Sequence, residues 1–195
     1  MNDPLTPTLD ELAASRRIAR FQVTPATGAP PFEVLALVLF PEPPPRPDAP
    51  PSAMPRRADG WRVILAGVDA AWLPSTLYAA EVEPIDLVGD PVPPVDFREP
   101  HTAKRDQRAF AEVLAVGTAY ETRCEFRYHR KDAKPGEFDT REGALLGVRG
   151  DLVFARDAAR GDAIRSFKVD GIVGLFVPVE HPAPRWNGRS YEVRR

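Results

Sequence analysis

The chain has 195 residues, 28% of them charged and 43% hydrophobic. That is enough for one good core or two small ones, and too apolar for wholesale disorder. A net charge of -2 divides unevenly: residues 1–100 hold 8 Lys+Arg against 14 Asp+Glu, and residues 101–195 hold 18 against 14, with every lysine in the second half. No run reaches the roughly 18 apolar residues of a membrane helix, residues 1–20 carry Asp3, Asp10 and Glu11 without an apolar signal core, and a lone Cys124 forms no intrachain disulfide or cysteine zinc site. A cytoplasmic protein is the expectation.

In chain order, Thr8-Leu9-Asp10-Glu11 is a capping-box pattern that opens a short helix over 8–17, with Leu9, Leu12 and Ala13 inward. Ala19, Phe21 and Val23 then alternate with polar residues, as in a half-buried strand. Further strands are expected at Phe32–Phe40, Trp61–Gly67, Leu77–Val82 and Ile85–Val88. Between the second and third lies a Pro-rich insertion, 41–58, which reads as an extended polyproline-type loop. A second Pro-rich stretch, Pro91 to Pro100, marks a boundary between two halves.

Beyond it, Phe110, Val113, Leu114 and Gly117 fall on one face of a helix over 103–119, with Thr102 as its N-cap. Cys124, Phe126 and Tyr128 alternate inward on the next strand. Strands near 138–148, 151–156, 163–169 and 172–178 follow, then a basic tail over 181–195. Both halves thus read as a helix followed by strands, and the shared order suggests an internal repeat. In that comparison Phe21-Gln22-Val23 matches Phe126-Arg127-Tyr128, and Phe32 matches Phe138. Gly60 to Ile64 matches Gly150 to Phe154, and Glu81 to Ile85 matches Lys168 to Ile172. The fold expected is mainly β with short helices (α+β): two small barrels, 1–100 and 101–180, each preceded by a helix.

Arg123-Cys124-Glu125-Phe126-Arg127-Tyr128, Phe154-Ala155-Arg156-Asp157 and Arg165-Ser166-Phe167-Lys168-Val169-Asp170-Gly171-Ile172 together resemble the WYL domain over about residues 107–179. The resemblance implies an Sm-like or SH3-like small β-barrel of the kind found in bacterial regulators, binding nucleic acid or a nucleotide-like ligand through basic and aromatic residues. Asp151-Leu152-Val153 stands where the family carries Trp-Tyr-Leu, and Lys168 and Gly171 stand in place of arginines.

The binding strip this suggests is Arg123, Arg127, His129, Arg156, Arg165 and Lys168, with Tyr128 and Trp186 as aromatic contacts; arginines on adjacent strands attract phosphate and stack on bases. The opposing reading is a salt-bridged surface, because Glu125, Asp139, Glu142 and Asp170 lie close by. His101, His129 and His181 show no metal-ligand spacing, and no phosphate-binding glycine loop or nucleophile elbow is present. A non-catalytic regulatory or accessory module without cofactor or metal is therefore expected, with single-stranded nucleic acid or a nucleotide-like ligand as partner. A protein-interaction or assembly subunit, including a homo-oligomer, is the second reading, and a small hydrolase or nuclease the third.

Overall fold

The computed structural model describes residues 7–42, 59–66, 72–129, 134 and 136–193. The polyproline reading of the insertion therefore falls almost wholly outside the described residues. The chain divides into two compact units. One runs to Pro94 and takes back Trp186–Tyr191; the other is built on Val95–Arg185. It is a mainly β protein with two short α-helices. Among the described residues no helix is long and apolar enough to cross a membrane.

In the first unit, helix α1 (Leu9–Ser15) opens on the capping box its sequence announces: Thr8 and Glu11 hydrogen-bond reciprocally. Strands β1 (Ile18–Val23), β2 (Phe32–Pro41), β3 (Gly60–Ala66), β4 (Trp72–Tyr78) and β5 (Val82–Val88) form one antiparallel sheet in the order β4-β3-β2-β1-β5. The expected strand Leu77–Val82 is not formed. A 3-10 turn, Ala79–Glu81, cuts that run, so its residues are shared between β4 and β5. Leu12, Ala13, Ala19, Phe21, Val23, Ala36, Val38, Val63 and Leu77 make the unit's core. The β1 alternation predicts its share of that core because one face of the strand joins Leu12 and Ala13 of α1 in a single cluster.

In the second unit, β6 (His101–Thr102) precedes α2 (Gln107–Tyr120), followed by β7 (Arg123–Tyr128), β8 (Asp139–Arg149), β9 (Leu152–Asp157), β10 (Ala163–Lys168) and β11 (Ile172–Phe176). Their order is β10-β9-β8-β7-β11-β6. Thr102 is not the N-cap of α2. It lies in β6, its hydroxyl accepts from the Arg105 N–H at 3.1 Å, and the helix begins after Asp106. Gly117, which falls on the inward stripe, lets α2 approach the sheet closely: a Cβ there would stand 2.7 Å from Leu145 Cδ1. The last strands, β12 (Pro184–Trp186) and β13 (Tyr191–Val193), form a two-stranded ladder in what reads by composition as a basic tail.

The two units repeat one plan residue by residue. Each helix ends on a left-handed non-glycine residue, Arg16 at φ 53° and Glu121 at φ 49°, and the first strand begins two residues later. The second strand carries an irregularity at the same place, between Val38 and Phe40 and between Leu145 and Gly147. The fourth strand runs into a 3-10 turn, and the last strand returns beside the first: Val23 pairs with Val82, and Tyr128 with Ile172. Loop hydrogen bonds recur too. The Ala79 N–H donates to Asp59 O and the Val169 N–H to Asp151 O, while the Thr24 N–H donates to Glu81 O and the His129 N–H to Gly171 O.

This register corrects the sequence matching. Phe32 corresponds to Asp139, Gly60 to Leu152 and Val82 to Ile172. The sheets are also open rather than closed barrels: among the described residues no ladder joins β4 to β5, or β10 to β11. In the second unit β6 occupies the edge of β11 that closure would need. In the first, Pro74 and Pro84 stand on the two strands that would have to meet, and a proline cannot donate to a ladder.

Candidate functional site

The strand register of the second unit decides how far the cationic residues gather. Arg123, Arg127 and Glu125 point to the face opposite buried Cys124 and Phe126. Arg123 pairs with Ala144 and Ala144 with Arg156, so Arg123 and Arg156 share one row across β7, β8 and β9. Ile164 of β10 continues that row. Arg127 lies four residues along β7 in one direction, and Lys168 four residues along β10 in the other. At about 3.3 Å per residue their rows stand roughly 25 Å apart along the strands. Arg165 pairs with buried Ala155 and so belongs to the opposite face, although it is exposed on the edge strand.

Acidic partners take up part of the charge. Arg123 Nη1 lies 3.4 Å from Glu142 Oε1, and Arg123 Nη2 lies 3.3 Å from Asp162 Oδ1. His181 Nε2 reaches the same Glu142 oxygen at 2.9 Å. Lys168 Nζ stands 4.0 Å from Asp151. His129 sits beyond β7 with its ring edge-on to Phe138 at 5.8 Å. Among the described residues Arg127 and Arg165 make no ion pair, and both are exposed.

The aromatic candidates are engaged in packing. Tyr128 lies on the inner face with its ring 5.3 Å from Phe167, edge to face. Gly171 is the counterpart of this packing: a Cβ there would meet Tyr128 Cε2 at 2.7 Å, so an arginine in its place would displace the ring. Trp186, expected as an exposed contact, is half-buried in the first unit, 5.4 Å from the Tyr191 ring and 5.2 Å from the Arg16 guanidinium. Arg16 is itself buried, donating to the Val92 carbonyl at 3.1 Å and the Pro93 carbonyl at 3.0 Å. Such a cation–π stack anchors a segment as firmly as it would recognise a ligand.

The salt-bridged reading of the strip named Asp139, and the structure sets this acid in a polar group on the inner face of the second unit. Arg141 bridges Asp139 at 2.9 Å and buried Asp157 at 3.6 Å. Sequence reasoning missed Asp162 and His181 as partners within the strip. Asp162 adopts φ 59° at a turn, and neither acid nor histidine has a local spacing that would announce a pairing made by the fold. Cys124 is fully buried, and burial raises its thiol pKa well above the ordinary range. We expect thiol reagents to leave Cys124 unmodified in the native protein and to label it on unfolding in urea, read by mass spectrometry; rapid labelling without denaturant would contradict its placement. Among the described residues no group of three or more His, Cys, Asp or Glu side chains could hold a metal ion.

Comparison with protein-family models, curated proteins and solved structures finds no match.

Proposed function

We propose that the protein is a non-catalytic binding module that works through protein–protein contact, its two sheets serving as a scaffold. The observation that carries this reading is the dispersal of the cationic strip. Arg127 and Lys168 sit at opposite ends of the sheet, Arg165 is on the other face, and Arg123 is paired with Glu142 and Asp162. A phosphate-binding surface works by convergence, several forked donors reaching neighbouring oxygens. A protein contact needs only an accessible, complementary strand or face.

A second reading keeps single-stranded nucleic acid or a nucleotide-like ligand as partner. It is favoured by Arg127, exposed and outside the ion pairs described above, and by the row shared by Arg123 and Arg156. Fluorescence anisotropy with labelled single-stranded RNA and DNA at two salt concentrations separates the two. The first reading predicts no saturable binding at either salt. Salt-sensitive binding lost in Arg127→Ala and Arg156→Ala would replace it with the second, because phosphate contacts release counterions.

A further inference from the structure

Among the described residues the two larger sheets present four edge strands, β4 and β5 in the first unit and β6 and β10 in the second. Three are blunted in the ways edges usually are. Pro74 takes an N–H donor out of β4, whose pairing with β3 is otherwise unbroken, Pro84 and a register shift interrupt β5, and β6 is two residues long. β10 differs. Its six residues, Ala163-Ile164-Arg165-Ser166-Phe167-Lys168, pair with β9 in unbroken register without proline or bulge. All but Phe167 are exposed, and Ile164 is 46% exposed.

From this we infer that β10 is a docking edge that accepts an extended acidic segment of a partner protein as an added antiparallel or parallel strand. The inference rests on the reading of the chain as a protein-binding module. Charge selects the occupant. β10 carries Arg165 on one face and Lys168 on the other and no acid, and Arg156 on β9 stands beside Ile164. A second copy of β10 is a poor partner. Centred on Arg165, the pairing sets that arginine against itself; centred on Ser166, it sets Ile164 against Lys168 and Arg165 against Phe167. Like charges opposite one another destabilise a strand pair, and opposite charges stabilise it. The same two cations that deter self-pairing therefore admit a strand with acids on both faces and an apolar residue opposite Ile164.

The test uses the full chain and three blocked seven-residue peptides: alternating Glu and Val, alternating Lys and Val, and the Glu–Val peptide N-methylated along one edge. Binding is read by anisotropy and located by backbone hydrogen exchange. The Glu–Val peptide is expected to slow exchange within 163–168, and N-methylation to weaken binding at least tenfold, since it removes ladder donors and keeps the charge. The double variant Arg165→Glu with Lys168→Glu is expected to prefer the Lys–Val peptide. Equal binding of the N-methylated peptide, or no slowing at 163–168 under saturating Glu–Val peptide, overturns the docking edge. Protection at another segment overturns it too but leaves the protein-binding module standing, whereas the salt-sensitive oligonucleotide binding described above removes the module reading itself.

Discussion

Replacing Arg108 with alanine is expected to destabilise the protein by about 1–3 kcal/mol, the cost of taking one charged partner from a buried carboxylate. Glu112 is fully buried in the middle of α2, among Phe110, Ala111, Val113, Leu114 and Ala115, all buried as well. Arg108, one turn earlier, holds its carboxylate with Nη1 at 2.7 Å from Oε2. Without that guanidinium the buried carboxylate loses a charged partner that offsets its desolvation, and that loss costs free energy. The double variant Arg108→Leu with Glu112→Leu removes both charges and is expected to recover most of the loss, because buried pairs are commonly replaceable by apolar residues of similar volume. Urea unfolding of the wild type, Arg108→Ala and the double variant measures all three. A single variant as stable as wild type would contradict the pairing.

Gly143→Ala is expected to cost about 3 kcal/mol, the upper end for overpacking a well-ordered interior. The position lies on β8 opposite Asp157. A Cβ there would stand 2.4 Å from the Arg156 carbonyl oxygen and 3.2 Å from its carbon. Those atoms are backbone, so no rotamer change relieves the contact; β8 and β9 would have to part. The control is Gly147→Ala on the same strand. Nothing lies within 4 Å of a Cβ there, and the change is expected to stay within about 0.5 kcal/mol. Equal effects at the two positions would show that the close approach at Gly143 is not the source of the loss.

How much of this was legible in the sequence depends on the range of the interaction. The capping box at Thr8 and the inward set Cys124, Phe126 and Tyr128 are local signals, and the structure places them as the pattern predicts. The repeat was visible as an order of elements, but its register was not. Matching Gly60 with Gly150 rather than Leu152 is a slip of two residues, and a period-two pattern returns every side chain to the same face after such a slip. The register shifts and the 3-10 turns, which fix the true alignment, leave no trace in composition. In the second unit barrel closure failed for a topological reason, the seating of His101–Thr102 beside β11. Two residues separated by some 70 positions from their partner strand carry no local sign of that pairing.

The site was less legible than the fold. Counting arginines on adjacent strands located a basic half, yet convergence depends on row and face, which only the register supplies. Arg165 shows this best: two residues from the buried Phe167, it falls on the inner face with the core rather than with Arg156 and Lys168. Trp186 looked exposed in its polar, basic surroundings, whereas it packs on Tyr191 across the β12–β13 turn and on Arg16, which comes from far along the chain. β10 was predicted as a strand, but its standing as the open edge follows from comparing it with β4, β5 and β6.

Recognition of a protein strand through β10, as proposed above, and recognition of nucleic acid through a gathered basic strip leave different marks on the molecule. The most direct measurement is an amide-resolved NMR titration of the full chain with the Glu–Val peptide and, separately, with a single-stranded oligonucleotide of matched charge. The peptide is expected to shift amides within 152–157 and 163–168, and the oligonucleotide to leave the spectrum unchanged. Shifts at Arg123, Arg127 and Arg156 on adding the oligonucleotide, with none from the peptide, would contradict the proposed recognition through β10.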